Sequence, residues 1–183
     1  TCEALSCSMV PASRELTIPS YITNIGDDTF NGCSALKSIT FATGSQLKTI
    51  GGSAFRETGL TSIIIPASVT TIGTGEYAFW NSRFLTSLTF ESGSELKTIG
   101  YTAFTLTSMA SIIIPASVTT IDGFGFGYIT QLTSVIFESG SQLKTIGAYA
   151  FYKSNLAGII IPASVTTIGT KAFLNCSSLT SVT

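Results

Sequence analysis

The chain has 183 residues, of which 44% are apolar and 10% charged, with a net charge of −1 and no histidine. Charges so few and so evenly mixed exclude the clustered basic face that nucleic acid requires. No apolar run reaches the roughly 18 residues of a membrane-crossing helix, so no membrane insertion is expected.

Residues 1–12, Thr-Cys-Glu-Ala-Leu-Ser-Cys-Ser-Met-Val-Pro-Ala, match nothing that follows and are expected to form an N-terminal flank or cap. Cys2 and Cys7 would either close a small disulfide there or remain two free thiols in a frayed terminus. The sequence leaves both open. From residue 13 the chain repeats itself. The stretch from Ile159 to Phe173 is also written at 63–79 and 112–126, with a diverged copy at 16–30. Its prolines, Pro19, Pro66, Pro115 and Pro162, are 47, 49 and 47 residues apart. A second version, Phe-Glu-Ser-Gly-Ser-x-Leu-Lys-Thr-Ile-Gly, alternates with it from Phe90 and Phe137, and Phe41 opens a looser form. Recurrence at a fixed period marks a stack of coils, each contacting only its neighbours.

The coils divide at 13–35, 36–59, 60–84, 85–108, 109–131, 132–155 and 156–178, followed by a stub at 179–183. Leu60-Thr-Ser-Ile-Ile-Ile65 suits a short strand with its first, fourth and sixth side chains turned inward. Pro66 ends that strand, having no N–H for a ladder. The alternate coils use Ser92-Gly93-Ser94 and Ser139-Gly140-Ser141 as a longer turn. Val69 and Ile72 form a second inward face, Gly73 turns the chain, and Tyr77-Ala78-Phe79 reads as one helical or 3-10 turn. Leu36, Leu60, Leu85, Met109, Leu132, Leu156 and Leu179 are expected in one inward column of a single parallel sheet. Phe30, Phe55, Phe79, Phe104, Phe126, Phe151 and Phe173 are expected to form the spine of the core. One coil buries about five large apolar side chains at ~1.5–3 kcal/mol each, before the entropy of ordering is subtracted. A single coil is therefore unstable and a stack of seven is not.

The pattern Leu-x-x-Ile-x-Ile-Pro-x-x-Val-x-x-Ile-Gly-x-x-Ala-Phe-x-x-Cys, closest in outline at Leu156–Cys176, resembles the BspA-like, Treponema pallidum-type leucine-rich repeat over residues 13–183. The resemblance implies a β-rich solenoid, a right-handed superhelix with a parallel sheet on its concave side and short helical or 3-10 turns. It also implies a surface-exposed or secreted protein that adheres to host proteins or other cells, and it brings no catalytic motif. Ser13 and Met109 stand where leucine is usual, Asp122 replaces the turn glycine, and Thr29 and Gly125 replace alanine. Cys33 and Cys176 occupy equivalent repeat slots, too far apart to pair, and are expected to be buried thiols. Because the chain starts at Thr1 without methionine or signal peptide and stops at the opening of another repeat, it is expected to be a piece of a longer protein.

Without histidine or Cys-x-x-Cys, neither a metal site nor a cofactor is expected. No nucleophile, base and orienting group can be assembled, so the protein is read as non-enzymatic. Two surfaces compete for a binding role. One is the outward fifth position of the strands, where Ile64, Ile113, Ile136 and Ile160 stand among threonines; apolar side chains in a row suit a protein partner or self-association, and equally suit plain cross-strand packing. The other is the turn around the only two-residue insertion, with Tyr77, the sole Trp80, Arg83 and Tyr101, residue types favoured in protein contacts and sugar stacking. Tyr128, Tyr149, Tyr152 and Phe124 lie in neighbouring coils. The expected role is a protein-binding or adhesion module at a cell surface or secreted, with a protein or glycan partner. A spacer stalk and an intracellular scaffold or effector are the alternatives.

Overall fold

The computed structural model describes residues 5–183, so Cys2 lies outside it. The chain winds as a parallel β-solenoid of about seven coils, most of which contribute a four-residue and a two-residue strand. In chain order these are β1 (Glu15–Ile18) and β2 (Asn24–Ile25), β3 (Ser38–Phe41) and β4 (Thr49–Ile50), β5 (Ser62–Ile65) and β6 (Thr71–Ile72), β7 (Ser87–Phe90) and β8 (Thr98–Ile99). They continue with β9 (Ser111–Ile114) and β10 (Thr120–Ile121), β11 (Ser134–Phe137) and β12 (Thr145–Ile146), β13 (Gly158–Ile159) and β14 (Thr167–Ile168), and β15 (Ser181–Val182). Every pairing is parallel and joins equivalent positions of adjacent coils, as Leu16 with Ile39 and Ile63 with Leu88.

The even-numbered strands β2 to β14 form one unbroken seven-stranded sheet. The odd-numbered column, expected as a single sheet, is instead broken into β1-β3-β5-β7, β9-β11 and β13-β15. Proline accounts for the breaks. In coils 2, 4 and 6 the residue after the strand donates a rung to the coil before: Ala42 to Ile18 O at 2.9 Å, Glu91 to Ile65 O at 3.0 Å and Glu138 to Ile114 O at 3.0 Å. In coils 3, 5 and 7 that residue is Pro66, Pro115 or Pro162, which has no N–H to give. Strands therefore pair fully where a Pro coil is followed by a Gly-Ser coil. In the opposite order the ladder shrinks to the single β3–β5 bridge Ser38 with Ser62, and then disappears.

The expected column is buried, with Leu36, Leu60, Leu85, Met109, Leu132 and Leu156 fully enclosed and Leu179 half-buried, but each of these residues lies two places before its strand begins rather than within the sheet. The phenylalanines stack ring upon ring, with centroids 5.0–5.6 Å apart from Phe30 to Phe173. The turns around them carry i to i+3 bonds, such as Cys33 N–H to Phe30 O, but do not continue into helix. The reason is a left-handed residue two places on either side of each phenylalanine, from Asp28 and Gly32 to Lys171 and Asn175, with φ of 52–72°. Thirteen of these fourteen residues are not glycine, each at a cost of about 1–2 kcal/mol. The alternation aims three N–H groups of each coil at carbonyls of the next, as Phe79 to Ala103 O at 2.7 Å and Asn81 to Thr105 O at 2.9 Å. The same three bonds recur at all six junctions, and all run from the earlier coil to the later.

The glycine after the second strand has different reasons in different coils. A Cβ on Gly100 would sit 2.3 Å from Gly73 O and one on Gly169 2.4 Å from Ala148 N, whereas Gly26 has room. Asp122 stands at this position in coil 5, and its carboxylate accepts from Gly123 N–H at 2.8 Å.

At the N-terminal end a 3-10 turn, Cys7–Met9, brings Leu5, Met9 and Val10 against the first coil. Cys7 is disulfide-bonded to Cys33, with Cα atoms 5.7 Å apart. The expectation of a free thiol at Cys33 is thus corrected, and a Cys2–Cys7 bridge is ruled out. The slot three residues after each phenylalanine explains the pairing. Ser82 Oγ reaches back to Phe55 O at 2.7 Å and Cys176 Sγ to Phe151 O at 3.1 Å. Cys33 has no preceding coil to reach, and the folded-back cap occupies that place. Cys176 remains a buried free thiol.

Candidate functional site

The turns beside the phenylalanine spine carry most of the surface aromatics, because left-handed residues there hold side chains outward; Tyr21, 61% exposed, stands apart after Pro19. At coil 3, Tyr77 and Trp80 meet edge to face, centroids 6.0 Å apart. Trp80 is half-buried, and its ring lies under the guanidinium of Arg56, 4.8 Å from the centroid. Arg83 is exposed, and its Nε donates to Asn81 Oδ1 at 2.6 Å. Next to it Phe84 leaves 59% of its surface in solvent, with Lys37 Nζ 4.7 Å above its ring. The patch therefore consists of Trp80 and Phe84, each with a cation on one face, and exposed Arg83 between them. Arg56 and Lys37 escaped sequence reasoning because they belong to the preceding coil, 24 and 47 residues before their rings. Phe84 was legible as an aromatic just ahead of an inward leucine, where other coils carry Ala35, Gly59 or Ser108.

Glu76 beside Tyr77 pushes the phenol pKa above its usual 10.0, chiefly by carboxylate repulsion and secondarily by burial. Tyr101 lies in the next coil, and Tyr77 N–H donates to its backbone O at 3.2 Å. Its ring belongs to a second cluster centred on Phe124, which stacks on Tyr149 at 4.7 Å and meets the edges of Tyr101 and Tyr152 at 6.0 and 6.1 Å. Lys153 covers the faces of Tyr128 and Tyr152, and Lys171 that of Tyr149. These rings are occupied with one another, whereas among the described residues Trp80 meets only the ring of Tyr77 and Phe84 meets no other ring.

On the strand face, Ile64, Ile113, Ile136 and Ile160 are 59%, 53%, 53% and 76% exposed. They do not form one track. Ile113 and Ile136 are ladder partners, Ile64 is paired with Thr89, and Ile160 lies across a break in the sheet. Among the described residues, no three His, Cys, Asp or Glu side chains gather, and no helix is long and apolar enough to cross a membrane.

The family profile for the BspA type leucine rich repeat region matches residues 9–104 and 97–183, in six copies. The chain belongs to the BspA-type leucine-rich-repeat family. Solved structures agree with this assignment. The pneumococcal vaccine antigen PcpA is 29% identical with a TM-score of 0.70, over 93% of this chain and 50% of that one. A leucine-rich repeat protein of Bacteroides ovatus is 25% identical with a TM-score of 0.69, over 92% and 54%. A leucine rich cell surface protein of Faecalibacterium prausnitzii is 28% identical with a TM-score of 0.56, over 93% and 47%. The chain spans about half the length of these structures. No curated protein matches it. A BspA-type array of this kind is a repeat protein-interaction module.

Proposed function

We propose that this array is the adhesive part of a secreted or cell-surface protein, and that it grips a protein partner through the Trp80–Arg83–Phe84 turn. The observation that carries the reading is the pairing of two aromatic rings with Arg56, Lys37 and exposed Arg83 on an otherwise hydroxyl-rich surface. Trp and Arg are the residue types that dominate binding energy at protein interfaces. The Cys7–Cys33 bridge fits an oxidising compartment outside the cytosol. Two similar structures, described as a vaccine antigen and a cell surface protein, point the same way. The reading assigns the chain no chemistry of its own. A spacer role draws on one fact, the near-identity of the copies Ile63–Thr71 and Ile112–Thr120.

The test is surface plasmon resonance against a panel of host extracellular-matrix proteins and mucin glycans. Arg83→Ala and Phe84→Ser lie on exposed side chains and should leave the melting temperature unchanged. Together they should weaken binding to a protein member of the panel at least ~30-fold, about 2 kcal/mol. Binding to no member, or binding unaffected by both substitutions, refutes the assignment.

A further inference from the structure

The left-handed residues two places before and after each core phenylalanine form two columns along the turn side. Their occupants change along the stack. Coils 1 and 2 carry Asp28 and Glu57, coils 5 and 6 carry Phe124, Tyr128 and Tyr149, and coils 6 and 7 carry Lys153 and Lys171. Every junction is held by the same three backbone rungs, so this drift alters what the surface presents and not how the coils stack.

The aromatic coils build a shelf. Phe124 lies within 4° of parallel to Tyr149 and within 12° of Tyr128, and Tyr152 meets both tyrosines edge to face at 5.7 and 4.8 Å. Tyr101 ends the shelf on the coil 4 side. Its ring rests against the backbone of Gly123, where a Cβ would lie 3.0 Å away. It keeps 37% of its surface in solvent, and among the described residues no cation covers it. At the other end Lys153 Nζ stands 5.2 and 5.4 Å from the centroids of Tyr128 and Tyr152, and Lys171 Nζ 5.7 Å from that of Tyr149. From coil 4 to coil 7 the shelf crosses three junctions, about 14 Å in a parallel stack of strands.

Neither lysine has a carboxylate partner: the ion pairs among the described residues are Lys48–Glu95 and Arg56–Glu57. From residue 96 onward Lys97, Lys144, Lys153 and Lys171 face only two acids, Asp122 and Glu138. Both acids are engaged, by Gly123 N–H at 2.8 Å and Ala116 N–H at 2.9 Å. Tyr152 OH accepts from Asn175 Nδ2 at 3.3 Å and keeps its own proton to donate.

We propose that this shelf binds an acidic polysaccharide. The anionic groups of the chain meet Lys153 and Lys171, the C–H face of a sugar lies on Tyr101, and sugar hydroxyls meet the phenol tips of Tyr128 and Tyr152. The packing selects that partner. Rings already stacked on one another cannot enter a partner's pockets, as the anchors of a protein interface do. They offer instead a preordered surface, apolar in body and hydroxyl at its tips, with little further entropy to lose. Two unpaired ammonium groups add charge-assisted hydrogen bonds that only an anionic chain can use. The site is separate from the Trp80 turn, and either can fail without the other.

The probes are immobilised hyaluronan, which carries carboxylates, heparin, which also carries sulfates, uncharged dextran and poly-glutamate, read by surface plasmon resonance with the intact protein. Hyaluronan or heparin should bind at least ~10-fold more tightly than both dextran and poly-glutamate, and the stronger of the two identifies the anionic group. Lys153→Gln with Lys171→Gln should weaken that binding at least ~10-fold at an unchanged melting temperature, whereas the same loss of charge in Lys97→Gln with Lys144→Gln should not. Tyr101→Leu keeps apolar bulk on Gly123 but removes the ring, and should weaken it at least ~5-fold. Arg83→Ala with Phe84→Ser should leave it intact, which separates this site from the protein-binding turn. Binding of neither glycan, equal binding of poly-glutamate, equal losses in the two lysine pairs, or unchanged affinity in Tyr101→Leu would each overturn the proposal. So would loss, in the Lys153 and Lys171 variant, of binding to a matrix protein stripped of its glycans.

Discussion

Phe104 offers the sharpest measure of how the stack holds together. Its side chain is fully buried, with Phe79 5.2 Å away on one side and Phe126 5.4 Å away on the other. Replacing it with alanine removes a ring from a column whose members are fixed by backbone rungs above and below, so the cavity collapses little. The expected loss is at the upper part of the usual ~3–5 kcal/mol for burying and then deleting an aromatic side chain, because two ring contacts worth about 0.5–1.5 kcal/mol each go with it. Phe173→Ala should cost clearly less: that ring stacks only on Phe151 and is partly exposed. In urea titrations followed by circular dichroism, an m-value of about 2–3 kcal/mol/M turns a ~4 kcal/mol loss into a midpoint shift of about 1.3–2 M. Equal shifts for the two variants, or a shift below about 0.5 M for Phe104→Ala, would show that the column is not the spine of the core.

Breaking the Cys7–Cys33 bridge by Cys33→Ser releases a closure across 26 residues of sequence and should destabilise the first coil by about 3–4 kcal/mol; the melting temperature of the unaltered protein should fall in reductant, and that of the variant should not. Tyr77 titrates late because Glu76 stands beside it, so its folded pKa lies above the unfolded value of 10.0. The folded chain holds that proton more firmly, and the stability this represents is fully present below pH 10 and lost as pH rises through the folded value. Glu76→Gln should bring the phenol titration, read by absorbance near 295 nm, back toward 10; no movement would remove Glu76 as the cause.

The architecture was legible because each inward position repeats a residue type whose only use is burial: the leucines at 36, 60 and 85, and the phenylalanines at 55, 79 and 104. Conformation at the turns was not legible. Left-handed backbone is expected of glycine or asparagine, yet here it falls on Tyr77, Phe124 and Leu106, where bonds to the next coil outweigh local preference. The single proline per Pro coil announced the end of a strand but not the break of a sheet, since the missing rung depends on what the adjacent coil presents. Cys33 misled for the same reason. Its slot is buried in every coil that has a predecessor, from Thr58 to Cys176, and only the first coil has a cap instead. At the turn surface Trp80 was found by its rarity, while its cation came from Arg56, one coil earlier in sequence and beside it in space.

The rungs on the phenylalanine side all point one way, and this gives the solenoid an electrical and geometric direction. Each peptide carries a dipole of about 3.5 D, and here three per coil add along the axis. On that side the earlier coil of every junction presents three donors and the later coil three acceptors, whereas on the strand side the later coil also donates to the earlier, as Gly51 to Ile25 O. Two phenylalanine-side edges of the same kind cannot pair rung to rung, because hydrogen would face hydrogen or oxygen would face oxygen. End-to-end contact made through these three rungs therefore runs head to tail, the arrangement that propagates rather than closing on itself.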